Sequence, residues 1–535
     1  MIDHSTVLRN ASNPEELELS YQQAVKAGAE AEFAAAIESG YAQAGDNLLL
    51  AAWHYRLTYA MARAKGRVIA WSWALPLGLL NGLLLWLLSD DQRFNIQVAN
   101  PLTGQTYTLI PLVALLAAPV CAAAITLFLT LAGQRRWGRT LAVILGLAAG
   151  AAYVLLLFPT IWPRVFQEQY LGLMVLHLGL LAWAGVGLAA LASSVDATNR
   201  FAFLVKSLEA FVVAGLLAVA GGLFTAITFG LFSALGIQPP EWAVRLFIAG
   251  GGGLIVLVAV ALVYDPKSEP AQQSFDEGIS KLVALLMRLL LPLTVVVLLV
   301  YLAFIPFNWR EPFENREVLV IFNAMLFAVL ALLVGATPVH GGDLSERGQT
   351  WLRRGIVALA ALALVVSLYA LAAILYRTAI DRMTPNRLLF IGWNVVNIAI
   401  LALVLIHQAR AGRARWLQAV HKAFAAGTIL YIAWSLVGLL ALPWLFRGDP
   451  AQVAGLPLRI QQLAYERPEP LLLKCPTSPH IYLLEDGQKR WVQDIAAFEA
   501  RGYRWNDVQF VICNDLRAVP DGETIPAGAG PPPQP

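Results

Sequence analysis

Charge is scarce in this sequence. Only 14% of the 535 residues are charged and 58% are apolar, whereas a soluble protein is about 25% charged and roughly 45–50% apolar. The net charge of +3, with no basic tail or patch, excludes nucleic acid as an expected partner. The composition predicts an integral membrane protein whose first partner is the lipid bilayer.

The sequence also lacks the motifs of well-known enzyme and cofactor sites. It contains no His-Glu-x-x-His, no Walker loop, no Gly-x-Ser-x-Gly and no Cys/His set at metal-ligand spacing. The glycine run in "AGGGGLIV" is not followed by Lys-Ser/Thr, so it favours close helix packing rather than phosphate binding. We therefore predict no catalytic residue, no metal and no cofactor.

Long apolar runs dominate the middle of the chain. About eleven runs of some 20 residues alternate with short polar loops, and a run of that length crosses a hydrocarbon core about 30 Å thick as a helix. The predicted fold is an all-α polytopic membrane bundle with a small C-terminal α+β soluble module. The predicted divisions are a cytoplasmic helical N-terminal region over 1–66, the transmembrane domain over 67–446, the module over 447–525, and a disordered Pro/Gly tail over 526–535.

Lysine and arginine are unevenly shared between alternate loops. The loops of one side carry 14 of them and those of the other side carry 8, and the richer side is expected to be cytoplasmic. The polar first 60 or so residues lack the pattern of a secretory signal, so we expect the first apolar run to act as a signal anchor. The N-terminus is then cytoplasmic, and an odd number of spans places the C-terminal module outside.

The sequence has only three cysteines. Cys121 falls inside the second apolar run and is most simply a small core residue. Cys475 and Cys513 bracket the C-terminal module and predict a disulfide, which persists outside the cytoplasm. The alternative is a pair of unrelated buried thiols.

The stretch "HIYLLEDGQKRWVQDI" opens the module as a hairpin. Asp486-Gly487 is a favoured type I′ turn between two short alternating strands. Trp491, Tyr503 and Trp505 are the candidate external ligand surface, with envelope carbohydrate as the ligand; alternatively, they form the core of a very small module. The order Tyr-Leu…Gly-x-Lys-Arg-Trp-Val resembles a module of extracytoplasmic bacterial proteins.

Five polar side chains stand out within the apolar runs, where such groups are costly and are functional candidates. They are His177, Arg288, Asn323, Asn394 and Asn397. His177 either relays protons or is a neutral, hydrogen-bonded imidazole, and Arg288 either pairs with an anion or extends to the headgroups. The asparagines either bond between helices or line a transport path.

The most specific motif in the membrane domain is a helix opening. Thr384 can cap the helix, Pro385 suits its first turn, and Arg387 can hold phosphate at the interface. Together with Asn386 and the preceding Arg382, this Thr-Pro-Asn-Arg motif resembles bacterial polytopic membrane proteins of domain-of-unknown-function family 4153. The resemblance implies many helices, a bacterial inner (plasma) membrane location and no assigned activity.

Three functions remain open. The first is a non-enzymatic envelope scaffold or sensor whose external module contacts carbohydrate or another membrane protein. The second is a transporter that uses the polar side chains of the bundle, and a cavity reaching His177 or Asn394 would favour it. The third is an enzyme on lipid-linked substrates that uses outer-loop acids, including Asp90 and Asp381.

Overall fold

The computed structural model describes most of the chain. The described residues are 9–27, 29–44, 46–64, 69–133, 136–191, 196–314, 316–341, 344–380, 383–448, 450–467 and 471–535. The chain divides into two compact units, Met1–Ala70 and Trp71–Pro535.

The first unit is a small helical bundle, of which α1 Pro14–Ala27, α2 Glu30–Gln43 and α3 Leu48–Ala64 are the described helices. The Asn13 side chain accepts from the backbone N–H of Glu15 at 3.2 Å, so it caps α1 just ahead of Pro14. Phe33 and Trp53 meet edge to face, with ring centroids 5.7 Å apart, in a shared apolar core.

The second unit contains the membrane helices. Within the described part of the chain, ten helices are long and apolar enough to cross a bilayer, which confirms the all-α polytopic prediction. In chain order its helices are α4 Trp71–Leu88, α5 Leu112–Ala132, α6 Trp137–Leu157, α7 Arg164–Ala190, α8 Ala197–Ala234, α9 Glu241–Arg245, α10 Gly251–Val263, α11 Gly278–Phe304, α12 Glu311–Glu314, α13 Arg316–Ala336, α14 Glu346–Ile380, α15 Pro385–Arg410 and α16 Trp416–Leu445. A π-helical turn, Leu246–Gly250, joins α9 and α10 into one span.

The chain after α16 folds into a small sheet flanked by short helices. Its elements are α17 Leu458–Glu466, β3 Leu471–Lys474, β4 Ile481–Glu485, β5 Gln488–Val492, α18 Ile495–Ala500, β6 Val508–Phe510 and α19 Cys513–Ala518. The strand order is β5-β4-β3-β6, with β6 parallel to β3 and the other pairs antiparallel. Asp486 and Gly487 have φ values of 51° and 74°, as a type I′ turn requires.

Two further contacts hold this module together. Cys475 and Cys513 form the expected disulfide, with Cα atoms 4.9 Å apart, and it joins the end of β3 to the start of α19. The tail over 526–535, expected to be disordered, lies against the module because Tyr482 Oη and Arg517 Nε donate to the carbonyls of Pro533 and Pro535. These bonds go to backbone oxygens, which the Pro/Gly composition does not reveal.

A second hairpin, β1 Asn95–Ala99 with β2 Thr106–Pro111, connects α4 to α5. Tyr107 Oη in β2 donates to Glu466 in α17 at 3.0 Å, so this hairpin and the module share one side of the membrane. An even number of crossings must therefore separate them. The other spans between them number nine, so α13, whose apolar part Ile321–Ala336 is shorter, supplies the tenth. Counted with α13, the described helices give eleven candidate spans, in line with the prediction of about eleven.

Helices α4 and α10 approach each other through glycine. A Cβ atom on Gly253 would lie 2.9 Å from the Cα of Gly82, and Asn81 Nδ2 donates to the Gly253 carbonyl at 2.8 Å. Close backbone contact of this kind replaces the hydrophobic effect as the source of helix association in lipid.

Substituting Gly253 by alanine should separate α4 from α10 and destabilise the bundle. We expect Gly253→Ala to lower the free energy of unfolding by about 1–3 kcal/mol, the usual cost of overpacking. Gly252→Ala is the matched control, because a Cβ there meets nothing within 4 Å. Thermal unfolding of the detergent-solubilised protein measures both, and equal stabilities would contradict the close contact.

Candidate functional site

The centre of the bundle holds a buried imidazole. His177 in α7 stacks on the Trp393 ring of α15, with centroids 5.1 Å apart and planes 14° apart. Its Nδ1 donates to the Leu173 carbonyl at 2.8 Å, so Nε2 is the acceptor nitrogen of the neutral ring. Gly438 in α16 lets that helix pass over the imidazole, since a Cβ there would lie 3.1 Å from Nε2.

Three asparagines extend this polar cluster onto neighbouring helices. Asn394 Nδ2 donates to Asn323 Oδ1 at 2.8 Å and links α15 to α13. One turn further along α15, Asn397 Oδ1 accepts from Tyr431 Oη of α16. Four of the five polar residues singled out in the sequence therefore gather where α7, α13, α15 and α16 meet.

Several polar atoms of this cluster are buried without a hydrogen-bond partner among the described residues. They are His177 Nε2, Trp393 Nε1, Asn394 Oδ1, Asn397 Nδ2 and Ser435 Oγ. Each such atom costs about 1–3 kcal/mol, and native proteins contain few of them. Five of the unpartnered buried side-chain atoms among the described residues therefore lie in this one cluster.

Three members of the cluster were not predicted from the sequence, namely Ser435, Trp393 and Tyr431. Serine and aromatic residues are common in apolar helices and give no signal by themselves. The spacing of Tyr431, Ser435 and Gly438 along the chain does indicate that they lie together. Ser435 follows Tyr431 by four residues and precedes Gly438 by three, so the three share a face of α16.

Arg288 lies apart from this cluster. Its Nε donates to the carbonyl of Ala336 at 3.2 Å, and Ala336 is about 20 Å along α13 from Asn323 at 1.5 Å per residue. Nearby, Lys206 Nζ lies 2.7 Å from Glu209 and also donates to the carbonyl of Ser274 at 2.6 Å. These bonds hold the loop after α10 against α8.

The Thr-Pro-Asn-Arg motif opens α15. Thr384 Oγ1 accepts from the backbone N–H of Arg387 at 3.3 Å, and Pro385 occupies the first turn. The N–H of Asn386 points to Gln169 Oε1 in α7 at 3.5 Å, so the motif lies near the N-terminal end of α7. Arg382 lies outside the described residues, as does Asp381.

Asp90, one of the loop acids considered for an enzyme, forms two ion pairs. Asp90 lies 3.4 Å from Arg245 and 3.7 Å from Arg93. The pair with Arg245 joins the loop after α4 to α9.

The three aromatic residues proposed as an external ligand surface do not share a face. Trp491 packs with the core on one side of the sheet, while Tyr503 packs on the opposite side against Phe498. Trp505 is 56% exposed and lies with its ring centroid 4.8 Å from that of Phe498. A flat aromatic platform for a sugar ring is therefore not formed by these three residues.

A larger feature lies between the module, the N-terminal end of α7 and the C-terminal end of α16. A cleft of about 690 Å³ opens there, within the range of about 300–1,000 Å³ that is typical of small-molecule sites. We call it the external cleft, because it lies outside the helix bundle, at the end that faces the module. Its defining lining residues are Trp162, Phe166, Arg447, Arg467, Leu484 and Asp486.

The bundle wall of the external cleft is held by backbone contacts. The N–H of Trp162 donates to the carbonyl of Phe446 at 3.0 Å, and that of Gly448 donates to Thr160 at 3.3 Å. A Cβ on Gly448 would lie 2.0 Å from the Cβ of Trp162, so only glycine fits where the chain leaves α16.

The module wall is held against the bundle by aromatic side chains and by the hairpin turn. The rings of Tyr465 and Trp162 lie 5.0 Å apart. Burial raises the pKa of Tyr465 to about 12, so its hydroxyl stays protonated near Gln167 Oε1, 3.4 Å away. A Cβ on Gly487 would meet the carbonyl oxygen of Gln452 at 2.4 Å. The hairpin turn therefore packs closely against the chain that leaves α16.

No protein-family model, curated protein or solved structure matches this chain. The resemblance to family 4153 therefore stays a prediction.

Removing an orphan hydroxyl from the polar cluster should stabilise the bundle. Ser435→Ala eliminates a buried group without a hydrogen bond, so we expect the free energy of unfolding to rise by about 1 kcal/mol. Ser367→Ala is the matched control, because Ser367 is equally buried but donates to Ala363 at 2.7 Å, and we expect it to lose about 1 kcal/mol. Chemical unfolding in micelles compares them. If the Ser435→Ala variant were less stable than the wild type, the Ser435 hydroxyl would have to form a hydrogen bond in the native protein.

Proposed function

We propose that this protein is a non-enzymatic sensor or scaffold of the bacterial cell envelope that binds a ligand in the external cleft. The observation that carries this proposal is that the walls of the cleft come from both the membrane bundle and the C-terminal module. A ligand seated there touches both parts at once. Its binding energy can therefore favour one arrangement of the module on the bundle over another.

The helices that reach the external cleft also reach the polar cluster. Phe166, in the cleft, and His177, in the cluster, are both on α7, about 16 Å apart along the helix. The chain on the cleft side of α16 carries Arg447, and the same helix carries Ser435 and Gly438. A sensor needs helices that connect its ligand site to its interior. Helices α7 and α16 connect the external cleft to the polar cluster.

The orientation belongs to the same proposal. The excess of Lys and Arg in alternate loops supports a cytoplasmic N-terminus. The Cys475–Cys513 disulfide supports an oxidising compartment for the module. Together with the resemblance to family 4153, these features favour a bacterial inner membrane with the external cleft facing outward.

Cysteine labelling tests this orientation. In a Cys121→Ala background, Gln488→Cys adds an exposed thiol to the module and Gln22→Cys adds one to the N-terminal unit. We expect a membrane-impermeant maleimide, allowed through the outer membrane only, to label Gln488→Cys and not Gln22→Cys. Labelling of Gln488→Cys only after the inner membrane is permeabilised would place the module in the cytoplasm.

Protection of a thiol in the external cleft tests ligand binding. Gln452→Cys lines the cleft and is exposed. We expect maleimide to modify it about tenfold more slowly when a ligand is present at ten times its dissociation constant. The comparison is between protein extracted gently with its envelope lipids and the same protein after exhaustive detergent washing. Gln493→Cys, exposed on the module outside the cleft lining, should react equally in both. Equal rates for Gln452→Cys would contradict the proposal.

A second candidate function is transport of a proton or a small polar solute through the bundle. One observation favours it, the gathering of orphan polar atoms at His177, Asn394, Asn397 and Ser435. These side chains are otherwise enclosed by packed rings and are not exposed. Loss of stability in Ser435→Ala would support this candidate, because a hydroxyl in a hydrated path would lose hydrogen bonds to water.

A further inference from the structure

We infer that the external cleft recognises a phosphate-bearing amphiphile, with Arg447 and Arg467 as its anion-binding pair. This inference rests on the proposed function, because it names the ligand class of the same cleft. The shared chemistry is a phosphate group attached to an apolar chain, as in a membrane lipid or a lipid-linked precursor.

The charge of the cleft favours an anion. Arg447 and Arg467 both line it, and neither has a carboxylate within 4.0 Å among the described residues. Two other arginines on the same side of the protein are paired, Arg490 with Glu485 and Arg164 with Glu168. Guanidinium groups match phosphate oxygens in a bidentate geometry that lysine lacks.

One acid also lines the cleft. Asp486 is at the tip of the β4–β5 hairpin and is exposed. It leaves an excess of one positive charge among the described lining residues. Its position also allows a cationic substituent beside the phosphate, which is the arrangement in a zwitterionic headgroup.

The remaining lining favours an apolar chain on the same ligand. Trp162, Phe166 and Leu484 provide apolar surface beside the arginines. Phe166 lies in the first turn of α7, so this surface begins where a membrane span begins. Arg447 also lies over the ring of Trp444, 5.8 Å from its centroid, and tryptophan at a helix end marks the headgroup level of a bilayer. The cleft therefore opens at the depth of lipid phosphates.

This combination distinguishes the amphiphile from simpler ligands. A free sugar needs aromatic faces and hydroxyl partners but not two arginines. A soluble anion needs the arginines but not the apolar floor at the membrane surface. A phosphate with an attached chain uses both sets of residues.

The test uses the full-length Gln452→Cys protein, washed free of lipid, and follows protection of its thiol from maleimide. The probes are dodecyl phosphate, inorganic phosphate and dodecyl maltoside, which supply the phosphate with a chain, the phosphate alone and the chain with a neutral head. We expect dodecyl phosphate to protect at the lowest concentration, with inorganic phosphate needing at least about tenfold more, a step worth about 1.4 kcal/mol. Dodecyl maltoside should not protect.

Arginine variants test which residues bind the phosphate group. Adding Arg447→Gln and Arg467→Gln to the reporter should weaken protection by dodecyl phosphate at least about tenfold. Adding Arg459→Gln and Arg501→Gln, which remove the same charge from exposed positions outside the cleft lining, should leave it unchanged. Arg447→Lys with Arg467→Lys keeps the charge, and partial protection there shows that the cleft is folded.

Three outcomes would overturn the inference in different ways. If dodecyl maltoside protected equally well, and the arginine variants did not change this, the cleft would still bind a ligand but would not recognise phosphate. Equal potency of inorganic phosphate would replace the amphiphile by a soluble anion. No protection by any probe, together with no protection by the gently extracted lipids, would overturn the proposed function as well.

Discussion

The packing of α7 against α16 supports both features with a functional interpretation. Tyr170 Oη on α7 donates to the Leu439 carbonyl of α16 at 3.2 Å. Deeper in the bundle, Gly438 meets the imidazole of His177. At the ends of the two helices that face the module, Trp162 and Gly448 fit together so closely that a side chain on Gly448 would overlap the tryptophan. The external cleft and the polar cluster therefore lie along one helix pair, and a change at either site must be accommodated by that pair.

The bilayer explains why the two features differ in chemistry. In hydrocarbon, a buried polar atom finds no water, so Asn394 bonds to Asn323 and Asn397 to Tyr431 across helices. The unpartnered atoms among them make this a costly part of the core. At the membrane surface water is available, and Arg447 and Arg467 remain exposed without an ion pair among the described residues. A charged ligand can therefore reach these two arginines from solution.

Much of the architecture is predictable from residue type and spacing. Apolar runs long enough to span a bilayer predict the helices, Asp486-Gly487 predicts its own turn, and Thr384-Pro385 predicts the start of α15. His177, Asn323, Asn394 and Asn397 were recognisable because polar groups are costly in lipid. Arg288 is also a polar residue in an apolar run, but it donates to a carbonyl at the far end of α13. The energetic cost of burying a polar group does not reveal which residues will surround it.

The sequence by itself determined that the chain is a multi-pass helical membrane protein with a disulfide-bonded module, because hydrophobicity, turn chemistry and cysteine position are local properties. Tertiary structure alone decided that Trp491 and Trp505 belong to opposite faces of the sheet, and that Trp162 and Arg467, some 300 residues apart, line one cleft. These juxtapositions arise from how α7, α16 and the module pack. Packing depends on the joint shape of distant segments, which no stretch of sequence encodes alone.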